Sequence, residues 1–240
     1  MKAPIETLLF DFGGTLDADG VAWKERFHAL YRAEGLDIAA DAFTPVFFAA
    51  DTPLVGGLSP TADLSGTVDA LTANLEVELA HRCKGNDATK PATESNGGRR
   101  RRVASRFLSD AAAAFERNRP VLKTLSEQYQ LGIVSNFYGN LEAVCHGAGL
   151  ASLFAVMVDS HRVGAEKPDP AIFRAALGAL GATPETTVFV GDSLRRDREG
   201  ARRTGMRFIW IAPQDVQATE SKAGPESAVT ELRDLMQILR

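Results

Sequence analysis

Five short apolar runs, each stopped by a turn-forming or polar residue, constrain this chain more than any other feature. They are Thr7–Phe10, Leu131–Val134, Phe154–Val158, Thr187–Val190 and Arg207–Ile211. Runs of this length suit strands buried on both faces. The last four alternate with helix-like segments such as Leu141–Gly149 and Pro170–Leu180. Strand–helix alternation calls for right-handed crossovers, so the pattern predicts an α/β fold with a doubly wound parallel sheet. Asp169-Pro170 marks a helix start, because proline at the first helical position loses no needed donor.

The stretch between the first run and the second reads differently. Trp23, Phe27, Leu30 and Tyr31 recur at helical spacing, as do Val68, Leu71, Leu75 and Leu79, and Val103, Phe107, Ala111, Ala114 and Phe115. The pattern predicts a helical insert at residues 17–119, within a core made of residues 1–16 and 120–240. A chain of 240 residues accommodates one core and a smaller insert. Thr44-Pro45 reads as an N-cap and first helical residue. Lys84–Gly98 is polar and rich in turn formers, and is expected to be a mobile loop. Four arginines follow at Arg99–Arg102, with Arg106 close behind. They read as a solvated helix face, with an anion-binding surface as the sharper alternative.

Composition excludes several classes. The 27 basic and 31 acidic residues leave a net charge of −4, which gives no global attraction to nucleic acid or anionic membrane. No apolar stretch reaches the roughly 18 residues of a membrane span. The N-terminal segment lacks the apolar core of a signal peptide. Cys83 and Cys145 match no zinc or redox motif and read as free thiols in a reducing cytoplasm.

Four segments carry chemistry. Leu8–Leu16 delivers Asp11 at the end of a strand and follows it with Gly13, Gly14 and Thr15. Ile133–Asn136 ends the second strand with Ser135 and Asn136. Lys167-Pro168-Asp169-Pro170 supplies an ammonium group before a helix. Val190–Ser193 ends the fourth strand with Asp192, and Asp197 follows. In an open parallel sheet, ligands bind at the carboxyl ends of the strands. Ser135, Lys167 and amides near Gly14 could hold three phosphoryl oxygens. Asp11 and Asp192 could hold a hard divalent ion such as Mg²⁺, whose charge lets a carboxylate approach a dianion.

In this order, the four segments resemble the four motifs of the haloacid dehalogenase-like hydrolases, across residues 5–17 and about 118–212. Ile172-Phe173 and Gly200–Met206 extend the likeness. The resemblance implies a Rossmann-like core with the insert as a helical cap. It implies that Asp11 is the nucleophile, with Thr15, Ser135 and Lys167 completing the catalytic set. Gly14, Ser135, Asn136 and Lys167 would bind phosphate. Asp11, the Gly13 carbonyl and Asp192 would bind Mg²⁺, with Asp197 behind them. The substrate would be a small phosphorylated metabolite, and the cap would move as a body about Leu16–Gly20 and Asn118–Pro120.

One position departs from the family pattern. Its phosphatases carry a second Asp two residues after the nucleophile, as general acid and then base. Here that residue is Gly13, and general acid–base help is worth roughly 10²–10⁴-fold. Four readings stay open. The first is a phosphatase that takes an acid from elsewhere (Asp17, Asp19 and His28 are near in sequence) or acts on esters with good leaving groups. The second is a carbon–phosphorus hydrolase using Lys24 or Lys84. The third is a carbon–halogen hydrolase, which the presence of Asp192 disfavours. The fourth is a non-catalytic binding or regulatory protein.

Overall fold

The computed structural model describes residues 3–83, 94–220 and 227–239. Six strands form one parallel sheet: β1 (Thr7–Phe10), β2 (Gln130–Ser135), β3 (Val156–Asp159), β4 (Thr187–Gly191), β5 (Arg207–Ile211) and β6 (Ala228–Val229). Their order is β3-β2-β1-β4-β5-β6, with every pairing parallel. The order reverses between β1 and β4, so the crevice of this doubly wound sheet lies at the carboxyl ends of those two strands. All five predicted strands are present, with ends shifted by up to two residues. The sixth, two residues long, is too short to leave a periodic signal.

Successive side chains of β1 point to opposite faces. Leu8 and Phe10 join an apolar cluster with Leu131, Ile133, Val188 and Val190, while Leu9 joins Val134, Phe173, Phe189 and Ala201 on the other side. Between β1 and β2 lie four helices, α1 (Trp23–Ala33), α2 (Ala40–Asp51), α3 (Leu64–Cys83) and α4 (Glu94–Ser126), here called the cap, with α4 running seven residues past the expected boundary at 119. Their periodic apolar residues are buried, apart from the half-buried Leu30. Phe27 stacks on Phe107 at 4.4 Å, and Trp23, Phe137 and Phe12 carry the aromatic contacts down to the sheet. Cap and sheet thus share one continuous apolar cluster.

Three sequence expectations change. Helix α2 begins at Ala40, which puts Pro45 inside it. Starting at Pro45 would leave Phe43 outside the helix, and Phe43 is fully buried. Burial of such a ring is worth roughly 2–3 kcal/mol, enough to offset one lost backbone hydrogen bond. Of the expected loop Lys84–Gly98, residues 84–93 lie outside the described residues and the rest belongs to α4. The second expected hinge, Asn118–Pro120, also lies within α4, and Asn118 Nδ2 donates to the Leu16 carbonyl at 3.0 Å.

Arg101, Arg102 and Arg106 are solvent-exposed, as a surface run would be, while three of the four arginines also pair with carboxylates of other cap segments. Arg99 forms a two-pronged pair with Glu76 at 3.2 and 2.6 Å, Arg100 meets Asp69 at 2.7 Å and Arg102 meets Glu34 at 2.7 Å. Only the Arg99–Glu76 pair is largely buried on both sides, 17% and 12% exposed. Arg99→Ala should therefore destabilise the chain by about 1–3 kcal/mol, the value of hydrogen bonds to charged groups. Arg102→Ala, at a solvent-exposed pair, should cost under about 1 kcal/mol. Urea unfolding of the two variants checks the ranking.

The remaining helices complete the core: α5 (Leu141–Gly147), α6 (Ser160–Val163), α7 (Pro170–Leu180), α8 (Glu199–Thr204), α9 (Gln214–Glu220) and α10 (Leu235–Ile238). Helix α7 starts as expected, with the Asp169 side chain accepting from the Ala171 amide. Cys145 is a buried free thiol, pushed up to about 12 by burial and then by Glu142. No described helix is long and apolar enough to cross a membrane.

Candidate active site

β1 and β4 are adjacent, so the residues that follow them come together. Asp11 follows β1, and its amide donates to Val190 of β4 at 2.9 Å. Ser135 ends β2 on the other side and donates to Asp11 Oδ1 at 2.7 Å. Lys167 Nζ reaches the same oxygen at 2.6 Å and Asp197 Oδ1 at 2.7 Å. Asp197 is buried inside a π-helical turn, Leu194–Arg198, and its Oδ2 accepts from the Ser193 amide at 3.0 Å. Such turns recur at functional sites because they aim side chains that a regular helix would not. Asp11, Asp192 and Asp197 each offer an oxygen within 4.8 Å of the others.

Electrostatics makes this a strained group of anions around one cation. Burial alone would lower the Lys167 pKa, but Asp11 and Asp197 together outweigh it and raise the pKa above the ordinary value. Burial, then the charges of Asp11 and Asp197, push Asp192 well above the usual carboxylate range. Burial raises Asp197 to about 6, against the pull of Lys167. Three carboxylates with one ammonium leave an excess of negative charge, and an all-oxygen donor set suits a hard divalent cation.

Two of the expected site residues hold others in place, and two glycines are set by close packing. Thr15 is fully buried and its Oγ1 donates to Asp192 Oδ1 at 3.1 Å. Asn136 clamps the Lys167 backbone, accepting from its amide at 2.7 Å and donating to its carbonyl at 3.2 Å. Gly14 has φ +91°, and a Cβ there would lie 2.8 Å from Asp192 Oδ2. Its amide donates to Asp17 Oδ1 at 2.7 Å, so Gly14 contributes a turn and room for Asp192, with its donor already engaged. Gly13 faces Trp23, whose Nε1 would lie 3.2 Å from an added Cβ.

A cavity of about 650 Å³ opens above Asp11, between the cap and the strand ends. Trp23, Phe47, Phe137 and Tyr138 form apolar wall, and Lys24, Arg195 and Arg196 stand among the polar lining. The acids nearest Gly13 in sequence are poor candidates to replace one. Asp17 accepts from Trp23 Nε1 at 2.7 Å and Arg26 Nη1 at 2.6 Å as well as from Gly14, so donors hold both its oxygens away from the cavity, which it does not line. Asp19 pairs with Arg117 and His28 bonds the Ile38 carbonyl; neither lines the cavity. Lys24 lines it but pairs with Glu25 at 3.0 Å and is 31% exposed, without the desolvation that activates an amine. Lys84 lies outside the described residues.

Sequence reasoning missed Trp23 as a wall of the site, and missed Arg26 and Tyr138. The Trp23 signal was present but ambiguous, since it belongs to a helical apolar stripe that also packs the cap.

Comparison with known proteins places this architecture. Over 89 residues the chain is 40% identical to a phosphoserine phosphatase of Thermus thermophilus, covering 37% of this chain and 35% of that one. It is 32% identical over 126 residues to a glyceraldehyde 3-phosphate phosphatase of Pyrococcus furiosus, covering 50% and 51%. These alignments span about a third to a half of the relatives' length. The fold matches the magnesium-bound HAD-hydrolase YfnB of Bacillus subtilis, with TM-score 0.58, 20% identity and 99% of both chains covered. It also matches the L-2-haloacid dehalogenase of Xanthobacter autotrophicus, with TM-score 0.57, 19% identity and 98% of both covered. The profile of the haloacid dehalogenase-like hydrolases matches residues 5–205, and with Asp11, Ser135, Lys167 and Asp192 gathered at the ends of three strands and the loop before α7, the chain belongs to that family.

Proposed function

We propose that this chain is an Mg²⁺-dependent phosphohydrolase of small phosphorylated metabolites, acting through an aspartyl phosphate at Asp11. The observation that carries the reading is the Asp11 carboxylate, bonded by Ser135 and Lys167 and crowded by Asp192 and Asp197 at the floor of the cavity. A carbon–halogen hydrolase meets no phosphoryl dianion and needs no metal to screen one, so it has no use for a second carboxylate at Asp192. Phosphatases among the relatives support a phosphorylated substrate.

Asp11, the Gly13 carbonyl and Asp192 would hold the ion, which would screen the carboxylates from an incoming phosphoryl dianion. Ser135 and Lys167 both contact Asp11 Oδ1. They fix that carboxylate and stand ready to donate to phosphoryl oxygens. Asp11 Oδ2 is then the oxygen that attacks phosphorus. Thr15 orients Asp192, Asn136 orients Lys167 and Asp197 keeps Lys167 charged. A screen of phosphate esters and acyl phosphates with and without Mg²⁺ tests the reading. Asp192→Asn should weaken Mg²⁺ binding in a calorimetric titration and remove activity. Undiminished affinity in that variant would sink the assignment of Asp192.

Restoring the family acid by Gly13→Asp should fail. The new Cβ would press on the Trp23 indole, and Asp17 holds that ring in place. We expect destabilisation of about 1–3 kcal/mol, the usual cost of overpacking, and no gain in sugar-phosphate hydrolysis. Thermal melts and rates of the single variant check this, and Gly13→Asp should cost less stability in a Trp23→Ala background than in wild type.

A further inference from the structure

Gly13 leaves a departing oxygen without a proton donor on the nucleophile's own loop. Outside the Asp11–Asp192–Asp197 cluster, three carboxyl side chains line the cavity among the described residues: Glu25, Asp51 and Glu166. Glu25 and Glu166 are solvent-exposed, and Glu25 is paired with Lys24. Asp51 is different. It is the last residue of α2, half-buried, and its Oδ1 accepts from the hydroxyl of Tyr138. Tyr138 is itself buried, three residues beyond Ser135, and its carbonyl accepts from the Gly56 amide of the cap at 3.1 Å. The pair thus sets a cap carboxyl beside the loop that carries Ser135, facing the same space as Asp11.

We propose that Asp51, held by Tyr138, is the general acid and base of this chain, supplied by the cap in place of the missing loop acid. The proposal rests on the phosphohydrolase reading above. As Asp11 attacks phosphorus and the bond to the leaving oxygen breaks, the Asp51 carboxyl gives its proton to that oxygen, and the product leaves as an alcohol. A water then attacks phosphorus and the bond to Asp11 breaks. Asp51 takes the proton of that water, so phosphate departs with Asp11 and Asp51 both restored. Burial pushes Asp51 above the ordinary carboxylate range, against the opposing effects of the Tyr138 hydroxyl and of Arg196. Lys24, Glu25, Glu166 and Arg195 line the same cavity as Asp51 and Arg196.

The Asp51–Tyr138 hydrogen bond also fastens cap to core, so the test must separate chemistry from a latch. The measurement is kcat/KM with Mg²⁺ for nitrophenyl phosphate and for glycerol phosphate, in wild type, Asp51→Asn and Tyr138→Phe, across pH. This parameter stops at leaving-group departure, and nitrophenolate leaves without a proton. Asp51→Asn should lose ~10²-fold or more on glycerol phosphate beyond its loss on nitrophenyl phosphate, the scale of a removed general acid. It should also erase the basic limb of the glycerol phosphate profile. Tyr138→Phe keeps the carboxyl but deprives its ionised form of a donor, so that limb should move to higher pH. Equal losses on both substrates in Asp51→Asn, with the basic limb unmoved, would reduce the pair to a latch and overturn the proposal. A wild-type chain that turns over neither substrate would instead overturn the phosphohydrolase reading, and the proposal with it.

Discussion

Asp11→Asn should abolish phosphate-ester turnover, by ~10⁴–10⁶-fold, the scale of losing a nucleophile, and should leave the fold standing. The amide keeps the shape of the carboxylate but cannot attack phosphorus. Removing a charge from a buried ion pair usually destabilises a protein. Here the surroundings argue otherwise, because Lys167 keeps Asp197 at 2.7 Å and Asp192 loses a repulsive neighbour. Thermal melts should therefore differ little between variant and wild type. In wild type, intact-mass spectrometry during turnover should find one phosphoryl group on the peptide that contains Asp11. A variant that hydrolyses esters at the wild-type rate would rule out the covalent mechanism.

Lys167→Met should have the largest effect on stability. It removes the ammonium that contacts both Asp11 and Asp197 and leaves buried carboxylates facing one another. Breaking a buried pair from one side costs about 3–5 kcal/mol. The loss should depend on pH in a definite direction. Asp192 and Asp197 have folded-state pKa values above the unfolded 3.8, Asp197 at about 6. From about pH 4 to above 6, the folded state therefore binds protons that the unfolded chain does not. Stability from these groups is present at the acid end of that window and falls as pH rises through it. Without Lys167 to lower them, both values rise further and the window widens upward. Urea unfolding of metal-free Lys167→Met should show a larger deficit at pH 8 than at pH 5, and Mg²⁺ should recover part of it at pH 8. A deficit independent of pH would mean that Lys167 matters through packing alone.

Much of this protein was legible in its sequence. Strands β1 to β5 are short and buried, and their apolar runs stood out because both faces need apolar residues. The periodic faces of α1, α3 and α4 were equally clear. Asp11, Ser135, Lys167 and Asp192 could be named because each sits at a strand end or before a helix, where local pattern marks position. Tertiary structure decided the rest. Whether Asn136 and Thr15 touch a ligand or hold a neighbour depends on which hydrogen bonds close in three dimensions, and both bonds join residues far apart in the chain. The arginine run was legible as surface, but its pairing with Glu76, Asp69 and Glu34 was not, because those partners lie elsewhere in the chain. Helix α2 starts before its proline because Phe43 is drawn into the core, a long-range force that outweighs a local signal. Gly13 announced a missing acid. That Trp23 fills its place, and that Asp51 meets Tyr138 across 87 residues of chain, follows only from packing the cap against the sheet.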